Sequence, residues 1–332
     1  MRDRRTLLRG LALAMLVAVV AFRGAAAQRP DDPLPSWNEG PAKQQIVAFV
    51  QAVVDPASPA FVPVAERTAT IDNDGTLWVE KPTYIQGFFV LERVRALAPQ
   101  HPEWRTTQPF AAVLDGDLAQ LEQLGESDLL ELISATSAGM TQEQYDAELR
   151  QFFATWRHPR FHVGYAELYY QPMVELLEYL RQNGFKTYIV TGGGIDFVRQ
   201  VAPTVYGIPP EQVVGTTLEY QCQVVDACTA LVRQPRISLV DDKVGKPVGI
   251  QVHIGRRPVF AAGNSDGDIQ MLQYTKGRAG ASFQLLVHHD DAEREYAYDQ
   301  GTEQALDYAR QDGWLVVSMA RDWRQIFPFE RK

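Results

Sequence analysis

The sequence predicts an α/β protein: a doubly wound, mostly parallel sheet with an α-helical cap inserted after its first strand. Three observations carry this expectation. From about residue 170 to the end, short apolar runs alternate with amphipathic helical patterns, as in parallel sheets covered on both faces. Between the first strand candidate and the rest, from Trp78 to about Tyr165, helical spacing dominates and strand signals are scarce. The strand candidates also run into polar, glycine-containing segments, and open α/β sheets bind ligands beyond the carboxyl ends of their strands.

In chain order, residues 43–54 carry apolar side chains at helical spacing, and Thr68–Ile71 is a short strand running straight into Asp72. The inserted stretch is expected to hold helices over Gly87–Leu97, Leu118–Gln123, Ser127–Thr136 and Gln142–Phe153. Then come helix Met173–Asn183, strand Lys186–Val190, helix Ile195–Val201, strand Val213–Leu218, a helix from Pro247 to Ile254, strand Pro258–Ala262 and helix Asp268–Tyr274. Strand Ser282–Val287, helix Glu303–Gln311 and strand Leu315–Val317 complete the alternation. The core is therefore assigned to residues 28–80 and 166–332, and the cap to 81–165. Gln28–Pro41, rich in proline and polar residues, reads as a loose segment.

With 332 residues, 45% hydrophobic and 22% charged, the chain has the composition of a globular protein and not of a disordered one. Its first residues differ: Arg2, Arg4, Arg5 and Arg9 precede an apolar run, Leu11–Phe22, and the small residues Ala25-Ala26-Ala27. That is the layout of a secretory signal over residues 1–27. The apolar run falls short of the roughly 20 residues a membrane span needs. Arg4-Arg5-Thr6-Leu7-Leu8 is similar to a twin-arginine signal, and a periplasmic or secreted product is expected.

Removing residues 1–27 takes five arginines and one aspartate from 32 basic and 41 acidic residues, leaving 27 against 40 and moving the formal charge from −9 to −13. A surface this acidic repels phosphate backbones and anionic lipids, which argues against nucleic acid and membrane as partners. The two cysteines, Cys222 and Cys228, are expected to close a small loop as a disulfide in an oxidising compartment.

Four polar segments carry chemistry. In Ile71-Asp72-Asn73-Asp74-Gly75-Thr76, Asp72 is a candidate nucleophile. Asp74 would point to the same side of an extended segment and could protonate a leaving group, then activate water. Thr191-Gly192-Gly193-Gly194 offers a hydroxyl and backbone amides to phosphate oxygens near a helix start. Lys246 can supply a point charge to both phosphate and carboxylate. Gly263-Asn264-Ser265-Asp266-Gly267-Asp268 adds oxygen ligands of the hard type magnesium prefers. Taken singly, each reads as a turn, a flexible loop, a solvated lysine or a helix cap. Together, each following a strand, they supply what phosphoryl transfer requires.

On these motifs the chain resembles the haloacid dehalogenase superfamily hydrolases, most closely their phosphoserine-phosphatase-like branch. The family's Asp-x-Asp-Gly-Thr is matched by Asp72–Thr76, its strand-ending Thr or Ser by Thr191, its lysine by Lys246, and its Gly-Asp-x-x-x-Asp by Gly263–Asp268. The resemblance implies a Rossmann-like core with a helical cap, Mg2+ as cofactor, and an aspartyl-phosphate formed on Asp72. It also implies that Asp72, the backbone carbonyl of Asp74 and the acid of the last motif hold the metal. Here that last position is Asn264, a neutral and weaker ligand, so Asn264, Asp266 and Asp268 all stay open as direct ligands. Lys243 competes with Lys246 for the lysine role; Lys246 is preferred because it opens the helix leading to the last motif. Asp74 points to phosphoester chemistry, because dehalogenases of the superfamily lack an acid there.

Trp78, Glu80, Lys81, Tyr84, Phe88 and Phe89 follow the nucleophile loop and are candidates to line the pocket. Glu80 lies about where phosphoserine phosphatases place a glutamate that meets the substrate ammonium. His288-His289-Asp290-Asp291 reads as a solvated loop, with a rim or second-metal role as the alternative. The expected activity is Mg2+-dependent hydrolysis of a small phosphomonoester. Transfer of the phosphate to an alcohol and a non-catalytic, solute-binding role are the alternatives.

Overall fold

In the computed structural model, seven strands form one sheet: β1 (Thr68–Ile71), β2 (Lys186–Gly194), β3 (Val213–Val225), β4 (Cys228–Leu239), β5 (Phe260–Gly263), β6 (Phe283–His288) and β7 (Leu315–Ser318), in the order β4-β3-β2-β1-β5-β6-β7. All neighbours pair in parallel except β3 and β4. Residues 32–116, 126–225 and 228–330 are described; the expected signal over residues 1–27 and the expected helix Leu118–Gln123 lie outside them. No helix of the described residues is long and apolar enough to cross a membrane.

β1 occupies the centre because all four of its residues are buried, as a strand covered on both faces and both edges requires. Successive residues of its neighbours feed opposite layers. Ile189, Val213 and Leu285 join one apolar cluster, and Val190, Val214 and Leu286 the other. Helices Pro41–Val54, Gln171–Gln182 and Ile195–Val205 supply the first layer; Gly245–His253, Ile269–Lys276 and Glu303–Asp312 the second. The described part of the segment expected to be loose, from residue 32 on, is anchored: Leu34 and Trp37 are buried, Trp37 packs edge-on against Trp323 at 6.0 Å, and Ser36 Oγ donates to Glu175 Oε1 at 2.7 Å.

Between β1 and β2 the chain inserts helices Ile85–Leu97, Phe110–Asp115, Glu126–Ser137 and Gln142–Thr155. Phe89, Tyr145, Phe152 and Phe153 form their aromatic core together with Phe197, so Phe89 is a packing residue and does not line a pocket. Thr141 caps the last of these helices, its hydroxyl accepting from Gln144 N while the Gln144 side chain returns to Thr141 N.

The hairpin is the main departure from the sequence expectation. β3 continues past Leu218 to Val225 and turns back as β4, which polar, largely exposed residues disguise. Its backbone holds the inserted helices, with Arg233 N donating to Met140 O at 2.9 Å and Gly139 N to Arg233 O at 2.8 Å. The expected disulfide is absent. Cys222 stands opposite Leu231 and Cys228 opposite Val225, three ladder positions apart. That is roughly 10 Å along a strand, too far for a bridge whose Cα atoms lie about 5–7 Å apart. Cys222 is an exposed free thiol.

Candidate active site

The nucleophile loop is shaped by where β1 runs out. Asp72 N still pairs with Ala262 O of β5 at 2.9 Å, after which Asn73 O gathers the amides of Thr76, Leu77 and Trp78, and Gly75 N donates to Trp78 O at 2.8 Å. The tight turn puts Gly75 at φ +76°, and a Cβ there would stand 2.1 Å from Asn264 Nδ2. Gly75→Ala is therefore expected to cost about 2 kcal/mol or more of stability and to displace Asn264. Thermal unfolding and activity measured together check this.

Asp72, Thr191 and Asn264 sit at the carboxyl ends of the adjacent strands β1, β2 and β5, and Lys246 reaches them from the first turn of helix Gly245–His253. Its Nζ donates to Asp72 Oδ1 at 2.5 Å, Asp268 Oδ1 at 2.7 Å and Val190 O at 3.0 Å, with the side chain 2% exposed. Burial pushes this ammonium pKa down, but the charges of Asp268 and Asp72 outweigh it and hold Lys246 above its ordinary range. Lys243, its competitor in the sequence, is an exposed residue 3.8 Å from Asp242.

Burial, together with the charge of Asp268, raises the Asp72 pKa well above the carboxylate range against the pull of Lys246. Asp74 accepts from Trp78 Nε1 at 2.8 Å and Asn73 Nδ2 at 3.4 Å. Burial raises its pKa too, only partly opposed by those bonds. Trp78 is thereby a support for Asp74, buried against Phe197 and Tyr206. The glycine loop abuts Asp74, since a Cβ on Gly193 would lie 3.5 Å from Asp74 Oδ2; a Cβ on Gly192 would meet Asp242 at 3.4 Å. Thr191 Oγ1 accepts from Gly193 N at 3.0 Å, which leaves its own hydrogen free to be donated.

The last motif sorts its three oxygen side chains. Asp268 is saturated: Oδ1 takes Lys246, and Oδ2 takes Asn264 N, Ser265 N and Ser265 Oγ at 3.0, 3.1 and 3.3 Å. Asp266 turns away, accepting from Ala305 N at 2.8 Å. Asn264 Oδ1 and Asp72 Oδ2 instead converge on the Thr76 hydroxyl, at 3.0 and 3.5 Å. Among the described residues no three His, Cys, Asp or Glu side chains cluster as a metal site. The carboxylate and amide oxygens that meet there are nevertheless of the hard type that suits Mg2+. Asp72 and Asp268 share one lysine here, an excess of negative charge that a divalent cation matches.

Glu80 does not stand open to a substrate. It is 8% exposed, and its Oε1 accepts from Asn264 Nδ2 at 2.9 Å and from the Tyr298 hydroxyl. Behind it, His289 is 2% exposed and stacks on Tyr298 at 4.5 Å. Its Nε2 meets Gly75 O at 2.7 Å and its Nδ1 meets Glu295 Oε2 at 3.1 Å. The expectation of a solvated loop fails for His289, whose apolar and aromatic surroundings no local pattern announces. Of the other pocket candidates, Tyr84 is 47% exposed, and the nearby Glu80 raises its phenol above the ordinary range.

A further buried acid, Asp241, underlies helix Gly245–His253, where a Cβ on Gly249 would stand 2.1 Å from its Oδ1. Neither carboxyl oxygen has a hydrogen-bond partner among the described residues. Burial raises its pKa to about 7, with Lys246 pulling down and Asp242 pushing up. A raised acid takes up a proton on folding, so its contribution declines as pH rises from about 4 through about 7. Asp241→Asn is expected to stabilise the protein on the order of 3 kcal/mol at pH 8 and hardly at pH 4. Denaturant melts at the two pH values check this.

A family model described as haloacid dehalogenase-like hydrolase matches residues 69–273, more than half of the chain. Among solved structures, the chain is similar to a conserved functionally unknown protein from Anaerococcus prevotii DSM 20548, with a TM-score of 0.57 and 16% identity over 86% of this chain and 94% of that one. It is also similar to a protein of unknown function from Bordetella pertussis Tohama I (TM-score 0.49, 15% identity, 76% and 98% covered). A phosphoserine phosphohydrolase-like protein from Francisella tularensis subsp. tularensis SCHU S4 follows (0.43, 16%, 78% and 95%). The first of these shares the fold. Among curated proteins none matches.

Proposed function

Because the chain belongs to the haloacid dehalogenase-like hydrolase family, we propose that it is a phosphatase that hydrolyses a small phosphomonoester through an aspartyl-phosphate on Asp72. The observation that carries this reading is the Lys246 ammonium shared by Asp72 and Asp268 at 2.5 and 2.7 Å, with Asp74 beside the same loop. A carboxylate so held is oriented, and its charge is balanced until it attacks.

Asp72 attacks phosphorus as the ester P–O bond breaks, and Asp74 gives its proton to the departing oxygen. Burial favours the protonated form of Asp74 that this step needs. Thr191 and the backbone amide of Gly192 donate to the phosphoryl oxygens, and Lys246 screens them from Asp72. Asp74 then takes a proton from water, whose oxygen attacks the same phosphorus and releases Asp72 and phosphate. Asp72, the Asp74 carbonyl and Asn264 would hold Mg2+, which when bound lowers the repulsion between carboxylate and phosphoryl group. Asp268 acts through Lys246 and the loop amides and is not a direct ligand in this proposal. Export from the cytoplasm, supported by the arginine-rich and apolar leader, belongs to the same proposal.

The test is phosphate release from an aryl phosphate. Release that needs Mg2+ and stops with a chelator supports the reading; Mg2+ binding without any release would overturn it. A phosphorylated alcohol formed when alcohol is added would redirect it to phosphate transfer.

A further inference from the structure

The residue at position 264 is an amide where the motif usually carries an acid, and the reason lies in its neighbour. An amide has two unlike ends. Asn264 Oδ1 accepts from Thr76 Oγ1 at 3.0 Å on the side of Asp72, while Nδ2 donates to Glu80 Oε1 at 2.9 Å on the other. Glu80 Oε1 accepts from both the Tyr298 hydroxyl and Asn264 Nδ2, so the end of the amide it faces is the donor and the oxygen is left for the other side. With an acid at 264, two carboxyl oxygens would stand 2.9 Å apart in a buried site in place of a donor and an acceptor.

We infer that Glu80 is a positioning residue that aims the Asn264 oxygen toward Asp72 and thereby requires an amide at 264. Glu80 is itself held in place. The Tyr298 hydroxyl donates to the same Oε1, and His289 stacks on the Tyr298 ring while contacting Gly75 O, one residue past Asp74. Lys81 Nζ lies 4.6 Å from the centre of the same ring. The segment 289–298 thus braces the first and last motifs from behind, and Glu80 places a carboxyl group one layer out from the ligand position.

The inference rests on the Mg2+ reading of the site, and it predicts a polarity swap. Magnesium affinity is measured by calorimetry on the full mature chain, beside melting temperature without metal as a control for folding. Glu80→Met, which removes both acceptor oxygens, is expected to weaken Mg2+ binding about 10-fold or more, the usual effect of losing a group that orients a ligand. Asn264→Asp should do the same while Glu80 is present. In the double variant Glu80→Gln with Asn264→Asp the acid and the amide exchange places, the amide at position 80 donating to the carboxylate at position 264, and affinity should return to within a few-fold of the parent. Tyr298→Phe, which removes one hydroxyl and keeps the ring, should give a smaller loss. Unchanged affinity in Glu80→Met, or a double variant as weak as Asn264→Asp alone, overturns the inference. A parent that binds no Mg2+ overturns the metal reading, and this inference with it.

Discussion

Asp72→Asn abolishes phosphate release, lowering kcat by about 10^4-fold or more, and leaves the fold in place. The size follows from the role: an amide cannot form the acyl-phosphate, and loss of a nucleophile removes the whole covalent route. The fold survives because the substitution keeps the shape, and Lys246 retains Asp268 Oδ1 at 2.7 Å and Val190 O at 3.0 Å. It also removes one of two like charges that raise each other's cost here, since Asp268 is among the causes of the raised Asp72 pKa. Steady-state kinetics with thermal unfolding separates the two effects. An Asp72→Asn enzyme with near-parental kcat would leave the aspartyl-phosphate without a site.

Lys246→Met has the larger structural effect. It removes the cation from between two carboxylates that are 6% and 0% exposed. Breaking a buried charge cluster from one side costs about 3–5 kcal/mol, because the remaining charges stay desolvated. Activity should fall about 10^3-fold as well, the scale on which a preorganised charge stabilises a transition state. The two losses part company with Mg2+: bound cation should recover some stability by offsetting the carboxylates, but little activity. Melting temperature and kcat against Mg2+ concentration check this. A variant as stable as the parent without metal would mean that Lys246 is not the partner of these acids.

Much of this was legible in the sequence. The strand Thr68–Ile71 is bounded as expected, because the short run Thr-Ala-Thr-Ile followed by Asp-Asn-Asp-Gly has few other readings. Lys246 was separable from Lys243 because only a residue opening the helix can turn back beneath the sheet's carboxyl edge. What was not legible came from distant partners. The β3–β4 hairpin reads as polar chain because its outer half faces solvent, and its order derives from the backbone of Gly139–Thr141 and from Arg233, which donates to Asp196 Oδ2 at 2.5 Å. Glu80 looked like a pocket residue since it closely follows the nucleophile; only Tyr298 and Asn264, more than 180 residues on, turn it inward. His289 stands in a run of four polar residues and is buried because Tyr170 and Tyr298 flank it.

The central claim is the covalent intermediate. Enzyme quenched in acid during turnover of an aryl phosphate, digested and examined by mass spectrometry tests it most directly. A single phosphoryl group on the peptide that carries Asp72, absent from Asp72→Asn, is the predicted result. Turnover with that peptide unmodified, or with the phosphoryl group on another residue, would contradict it.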